Sequence, residues 1–293
     1  MYCTYFGFRF PPFRTSPQAQ PFFEGAQRGT IVETLIYGIE HGDGILALTG
    51  APGSGRTTIC RVLQARLSGR LPCIRLSEPA LGRHRAMHAL AGILGVGGRG
   101  TANDLDAVVR AQLRANAKVG RHLVILIDEA QHMPLDTLES LRLLAGADAG
   151  TGKTAQLVLV GTPYLDVRLA QNEARQIRSR ITYRGRLAPL APGEVNEYLG
   201  LRLRAAGDVS TGLLPAGIGR YIARVSGGLP VQIDRIADRT LMAAFAEDTR
   251  EVTLRHARTA ARRLNMAPAG FLARVRCLLP QRPSATPAPS APR

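Results

Sequence analysis

Two stretches of this chain carry the glycine spacing of a phosphate-binding loop. One is GAPGSGRTT, from Gly50 to Thr58, and the other is ADAGTGKT, from Ala147 to Thr154. Such a loop cradles phosphate oxygens with backbone N–H groups, adds a lysine, and presents a hydroxyl to Mg²⁺. The first stretch has Arg56 where the lysine belongs; the second has Lys153 in the expected place. A pair of acids, Asp128 and Glu129, closes the apolar run HLVILIDEAQ. One such carboxylate suits water-mediated binding of Mg²⁺, and the next suits polarising a water that attacks a phosphoryl group. The blander reading of the two acids is that they only end a strand.

Which loop is real depends on the elements around it. A working loop needs a strand, a tight turn, and a helix whose N-terminus faces the phosphates. GILALTG, Gly44 to Gly50, reads as a short apolar strand, and TTICRVLQARL follows with Ile59, Val62, Leu63 and Leu67 on one helical face. Between them Gly50, Gly53 and Gly55 permit the turn, Ala51, Pro52 and Ser54 complete it, and Arg56, Thr57 and Thr58 start the helix. Thr57 stands where a Mg²⁺-binding hydroxyl belongs. The second stretch instead follows the end of a helix and runs into the strand AQLVLVG, so Lys153 is expected on a connection. The expected ligands are therefore a nucleotide's phosphates and Mg²⁺ at residues 50–58, with Thr57 and Asp128 on the metal and Glu129 on the water.

The same alternation extends along the chain. LPCIRLS, HLVILID, AQLVLVGTP and ITYRGRLAPL are further strands, separated by helix candidates. HLVILID is apolar throughout, as a strand buried on both faces must be. DLDAVVRAQLRANA is a helix with Asn103 or Asp104 as its N-cap, and PLDTLESLRLLAG has proline at its first turn and glycine at its end. Strands alternating with helices give an α/β fold with a doubly wound, mainly parallel sheet of five strands. After Pro189 only helical periodicity remains, roughly from Leu190 to Leu264, and from Pro280 the chain is Pro/Ala/Ser-rich. The expected units are an N-terminal arm over 1–28, a nucleotide-binding core over 29–187, a helical lid over 188–265 and a disordered tail over 266–293.

Composition narrows the classes. With 45% hydrophobic and 20% charged residues in 293, the chain reads as a globular protein with a sizeable core. No apolar run approaches the roughly 20 residues of a membrane helix. The N-terminus lacks the basic and apolar regions of a signal peptide. Cys3, Cys60, Cys73 and Cys277 have no metal-type spacing and are expected to be reduced thiols, which points to the cytoplasm. The formal charge is +16, and only Lys118 and Lys153 are lysines, so the excess is arginine. That balance permits DNA binding through phosphate contacts, although a general arginine bias gives the same count.

With the motifs placed, the chain resembles the AAA+ ATPases of the general secretion pathway protein A (ExeA-type) family. MYCTYFGFRFPPFRTSPQAQPFF is similar to that family's N-terminal arm, and LIYGIEHGDGILALTG to its approach to the phosphate loop. LIDEAQHMPLDTLESLRLL, LVLVGTPYL and SRITYRGRLAPLAPGEVNEYLGLRLRAAG continue the likeness, which covers about Met1 to Leu264. The resemblance implies an AAA+ P-loop core of five strands, a C-terminal helical lid, and a homo- or hetero-oligomeric ring with nucleotide between subunits. It implies that Thr162 is the sensor 1 residue that contacts the γ-phosphate or the attacking water. It implies that one of Arg175, Arg178 and Arg180 is the arginine finger, with Arg180 preferred.

Two positions depart from the family pattern. Arg56 replaces the loop lysine; it keeps the charge and is able to bind phosphate bidentately. It is also bulkier and planar, and ~1 Å of misplacement costs about 100-fold in rate. The lid's usual arginine, sensor 2, is Val231 here, and Arg235 lies one helical turn further on. The expectation is an ATP-binding protein with slow or partner-dependent hydrolysis that couples nucleotide state to a secretion or cell-envelope system. Several members of the family carry a membrane span and a peptidoglycan-binding region beyond the AAA+ part. Neither is found here, so a cytoplasmic form reaching the inner membrane through a partner is expected. Two alternatives stay open: a DNA-associated AAA+ regulator similar to the TniB-type transposition ATPases, and a hydrolysis-deficient subunit of a mixed ring.

Overall fold

The computed structural model describes residues 2–13, 21–42, 44–78, 81–97, 101–145, 153–207 and 212–266. Among these residues five strands form one sheet: β1 Ile45–Gly50, β2 Cys73–Leu76, β3 Leu123–Ile127, β4 Ala155–Gly161 and β5 Ile181–Leu187. Their order is β2-β3-β4-β1-β5, and every neighbouring pair is parallel. The parallel α/β sheet expected from the alternation of strands and helices is therefore the observed one.

Side chains alternate along each central strand, and both faces are covered. Leu46, Leu48, Val124, Leu126, Val158 and Val160 point to one side, where they meet Ile31, Val32, Leu35 and Ile39 of α2 (Gly25–His41) and Ile59, Leu63 and Leu67 of α3 (Arg56–Leu67). Ile45, Ile125, Ile127, Leu157 and Leu159 point to the other. There they meet α4 (Arg83–Ile93), α5 (Ala102–Lys118) and α6 (Leu135–Leu144) through Met87, Leu90, Leu105, Val109, Leu138 and Leu141. Edge strand β5 is covered less and keeps a half-buried, exposed alternation.

Two local expectations are corrected. The N-cap of α5 is Thr101, not Asn103 or Asp104. Its side chain accepts from the Asp104 N–H while the Asp104 carboxylate accepts from the Thr101 N–H, a reciprocal capping box. Asp104 is thus the third helical residue of that box. Pro134 precedes the first turn of α6 as its N-cap. The glycine-rich part of the second loop-like stretch, 147–152, and the tail from 267 lie outside the described residues.

Among the described residues beyond β5 come four helices, α9 (Pro192–Ala205), α10 (Ala216–Ser226), α11 (Pro230–Ala246) and α12 (Leu254–Arg263). They share a core that includes Val195, Leu199, Ile222, Ile233, Ile236 and Leu241. The start of the chain joins this core: Tyr2 on the short α1 (Tyr2–Phe6), with Phe8 and Phe13, is buried against these helices. Tyr2 Oη donates to Asp238 Oδ1 at 2.6 Å, and the Arg9 N–H donates to the Ala206 carbonyl at 2.8 Å. Between β4 and β5 lie α7 (Tyr164–Ala170) and α8 (Arg175–Ser179). Among the described residues no helix is long and apolar enough to cross a membrane.

Candidate functional site

Because β4 sits between β1 and β3, the turns that leave the carboxyl ends of all three strands lie side by side. In an open parallel sheet this is where ligands bind. From β1 comes the turn 51–55, from β3 come Asp128 and Glu129, and from β4 comes Thr162.

The first turn has the backbone of an anion cradle. Gly53 and Gly55 have φ of 80° and 100°, a region that side chains with a Cβ avoid. Gly55 is also the N-cap of α3 and offers no side-chain cap, so the first-turn N–H groups of that helix stay free for a ligand. Ser54 Oγ is buried without a hydrogen-bond partner. Thr57 lies half-buried in the first turn of α3, and Thr58 is exposed. Arg28 braces the turn from α2, donating to the Ser54 carbonyl at 3.3 Å and to the Ala188 carbonyl at 3.1 Å. Burial lowers the pKa of that guanidinium from its ordinary value. Glycines at the turn, an orphaned hydroxyl and an uncapped helix start all fit a phosphate chain. The Thr57 hydroxyl and the carboxylate of the buried Asp128 are of the hard oxygen type that Mg²⁺ prefers.

Arg56 does not face that cradle. Its Nη1 donates to the Gly50 carbonyl at 2.5 Å and its Nη2 to Glu129 Oε1 at 2.6 Å. Nε is buried without a partner. The Arg56 side chain is 8% exposed and that of Glu129 35%, so one end of the ion pair is dry and the other reaches solvent.

Glu129 is held from both sides. Gln131 Nε2 donates to its second oxygen, Oε2, at 2.5 Å, and its backbone is left-handed at φ 54°. Partial burial pushes the Glu129 carboxyl up. The bonds from Gln131 and Arg56 and the charges of Arg56 and His132 outweigh that, and the carboxyl ends below its ordinary value. Asp128 is buried, accepts from the Glu129 N–H at 3.1 Å, and has Arg75 Nη1 at 3.8 Å. Thr162 is half-buried, and its N–H donates to Gln131 Oε1 at 3.0 Å.

On the far side of the turn a cavity of about 290 Å³ opens between residues 21–23, α3 and the lid helices. Phe22, Phe23, Val62 and Val231 give it apolar walls, and Tyr198, Arg202 and Asp234 a polar floor. Tyr198 Oη donates to Asp234 at 2.9 Å, while Arg202 donates to Asp234 at 2.8 Å and to Tyr198 Oη at 3.0 Å. Burial pushes the Asp234 carboxyl up to about 6 despite the Arg202 charge beside it.

The remaining expected residues lie elsewhere. Val231 packs on the turn: its N–H donates to the Gly53 carbonyl at 3.3 Å, and a Cβ on Gly53 would sit 3.2 Å from the Val231 Cβ. Arg235 is exposed and its hydrogen bond goes to Gln232. Arg175, Arg178 and Arg180 are exposed on α8 and just after it. The Arg180 carbonyl accepts from the Ile45 N–H, so Arg180 sits at the amino end of β1, the opposite edge of the sheet from the turn. Five residue steps of strand, roughly 17 Å, separate the two. Arg180 therefore has no access to the turn of its own chain. Lys153 donates to the Ile39 and Gly42 carbonyls at 2.7 and 2.6 Å and so caps the end of α2.

Sequence reasoning missed Arg28, Gln131 and the Tyr198–Arg202–Asp234 cluster. Gln131 follows the two acids by only two positions, which is the one local signal available. Tyr198 and Arg202 are one helical turn apart, but Arg28 and Asp234 meet their partners 26 to 160 residues away in the chain.

Comparison with known proteins agrees with this fold. A family profile described as an AAA domain matches residues 39–169. General secretion pathway protein A of Aeromonas hydrophila is 34% identical over 259 residues, 86% of this chain and 46% of that protein. The chain thus spans about half the length of that relative. Among solved structures, Cdc6p of Pyrobaculum aerophilum superposes with a TM-score of 0.69 at 19% identity, over 92% of this chain and 74% of that one. The RuvB Holliday junction branch migration motor of Thermotoga maritima gives 0.58 at 18% identity, over 83% and 70%. At such identities the structural likeness is one of fold.

Proposed function

We propose that this chain is an AAA+ P-loop ATPase of the general secretion pathway protein A type that binds ATP with Mg²⁺ and hydrolyses it slowly. The observation that carries this reading is the meeting of the 50–58 turn, Asp128, Glu129 and Thr162 at three adjacent strand ends. The backbone of the 50–58 turn holds the phosphates, and the cavity beside Phe22 and Phe23 takes the base. Thr57 and Asp128 hold Mg²⁺, which when bound neutralises charge on the phosphate oxygens. Glu129 accepts a proton from the attacking water, whose oxygen bonds to the γ-phosphorus as the bond to the bridging oxygen breaks; ADP and phosphate leave. Thr162 orients that water or the γ-phosphate.

The brake in this reading is Arg56. While Arg56 is bonded to Glu129, the cation is withheld from the phosphates and the carboxylate is a weaker proton acceptor. Arg180, out of reach of its own site, serves a neighbouring subunit. The likeness to general secretion pathway protein A supports a role in a secretion or envelope system, exerted at the inner membrane through a partner. The units of this machine are the arm 1–28, the core 29–187 and the lid 188–265.

Phosphate release from Mg·ATP by wild type, Arg56→Lys and Glu129→Gln tests the reading. Slow release by wild type, faster release by Arg56→Lys and none by Glu129→Gln is expected. Failure of both wild type and Arg56→Lys to turn over ATP sinks the ATPase assignment. A second reading, DNA association, is favoured by the +16 charge alone. It requires ATP-dependent binding to duplex DNA whose affinity falls steeply with salt.

A further inference from the structure

Gln131 plays no part in the hydrolytic steps proposed for Glu129 and Thr162, yet it touches both residues. It is 4% exposed, and every polar group it owns on the site side is engaged. Its amide nitrogen donates to Glu129 Oε2 at 2.5 Å, its amide oxygen accepts from the Thr162 N–H at 3.0 Å, and its backbone carbonyl accepts from Arg168 Nη1. The same Arg168 nitrogen donates to the Met133 carbonyl at 2.8 Å. Arg168 lies on α7, and Thr162 leads directly into that helix. The turn that carries Glu129 is therefore tied to α7 by two routes, one through the Gln131 side chain and one through Arg168.

The strand end is shaped around this amide. A Cβ on Gly161 would lie 2.7 Å from Gln131 Oε1 and 3.0 Å from the Leu165 side chain. Only a residue without a Cβ lets the glutamine reach across β4 to Thr162. Glu129 itself has a left-handed backbone, a state that costs of order 1 kcal/mol or more and persists only when its surroundings hold it. Gln131 on one oxygen and Arg56 on the other are those surroundings.

We propose that Gln131 is a positioning residue for hydrolysis, and that with Arg168 it makes the orientation of Glu129 follow the position of α7. The proposal rests on the ATPase reading only for its catalytic consequence; the linkage between Glu129 and Thr162 stands apart from turnover. The carboxamide suits the task because it donates to a carboxylate and accepts from a backbone N–H at once. A buried amide that merely satisfies its own hydrogen bonds would matter for stability but not for the aim of Glu129.

Two substitutions separate the roles. Gln131→Glu keeps an acceptor for the Thr162 N–H but loses the donor to Glu129 and sets a second carboxylate against it. Gln131→Leu loses both bonds at similar volume. In Gln131→Leu the Thr162 amide is expected to exchange with solvent about fivefold faster, as loss of one net hydrogen bond implies. In Gln131→Glu its protection is expected to persist. In both, kcat is expected to fall about 10- to 100-fold, while the affinity of Gln131→Leu for a fluorescent ADP analogue stays within about twofold. These are measured on the full chain in wild-type and Arg56→Lys backgrounds. Unchanged kcat in Gln131→Glu overturns the proposal and leaves a structural amide. Should neither background hydrolyse ATP, the functional reading has failed, and Thr162 exchange in Glu129→Ala decides the linkage. Acceleration there upholds it; an unchanged rate overturns it.

Discussion

Removing the negative charge of Glu129 is expected to tighten nucleotide binding, because that charge holds Arg56 away from the phosphates. For Arg56 to meet a phosphate it must leave the carboxylate that it contacts at 2.6 Å. A hydrogen bond to a charged group nets about 1.5–3 kcal/mol. The Glu129 end is 35% exposed and solvent weakens the pair, which lowers its worth to about 1–2 kcal/mol. That energy opposes binding, and Glu129→Gln converts it to affinity, about 5- to 30-fold at 25 °C. The assay is an equilibrium titration with a fluorescent ADP analogue and Mg²⁺, since ADP cannot be consumed. General repulsion between Glu129 and phosphate would also be relieved, so the substitution is repeated in Arg56→Lys, whose compact ammonium lacks the guanidinium fork. The specific pair appears as the difference between the two gains in a double-mutant cycle. An equal gain in both backgrounds, or none in the wild type, refutes the idea that Arg56 is held by Glu129.

Three further outcomes follow from the same geometry. Lys153→Met should lower stability by about 1–2 kcal/mol in a urea melt through loss of its charge-assisted bonds to the end of α2, with ADP affinity unchanged; loss of nucleotide binding would show that the second loop-like stretch holds phosphate after all. Glu129 acts as a base only when ionised, and its carboxyl sits below the ordinary value of 4.5. The kcat/KM profile should therefore stay flat on the acid side down to that value, and a fall centred above it would contradict the hydrogen bonding described. Asp234→Ala leaves Arg202 buried and unpaired and should cost about 3–5 kcal/mol, whereas the double change Asp234→Leu with Arg202→Met should recover most of it; equal losses in thermal or urea melts would mean that the pair itself stabilises the lid.

Much of this protein is legible in the order of its residues. Local order is enough to prefer GAPGSGRTT to ADAGTGKT: a phosphate loop needs a strand before it and a helix after it, and only one stretch has both. The apolar runs that form β1, β3 and β4 read as strands buried on both faces, and the acids after β3 announce themselves by position. Asp104 shows the limit of such reading, since a residue that looks like a cap is the third member of a capping box begun by Thr101.

Tertiary structure alone decides where the cations go. In sequence Arg56 is a lysine with a different head; in space it is turned to Gly50 and Glu129, the latter 73 positions away. Lys153 has the better motif and is a helix cap, because the end of α2 lies where β4 begins. Arg180 and the turn are set at opposite ends of the sheet by the register of β1 with β5. Gln131 gains its place when the order β3-β4-β1 brings Thr162 beside Glu129. Periodicity and turn chemistry are written in neighbouring residues, so a sequence declares its elements. A charged side chain takes its role from partners far along the chain, and only the packed sheet makes them neighbours.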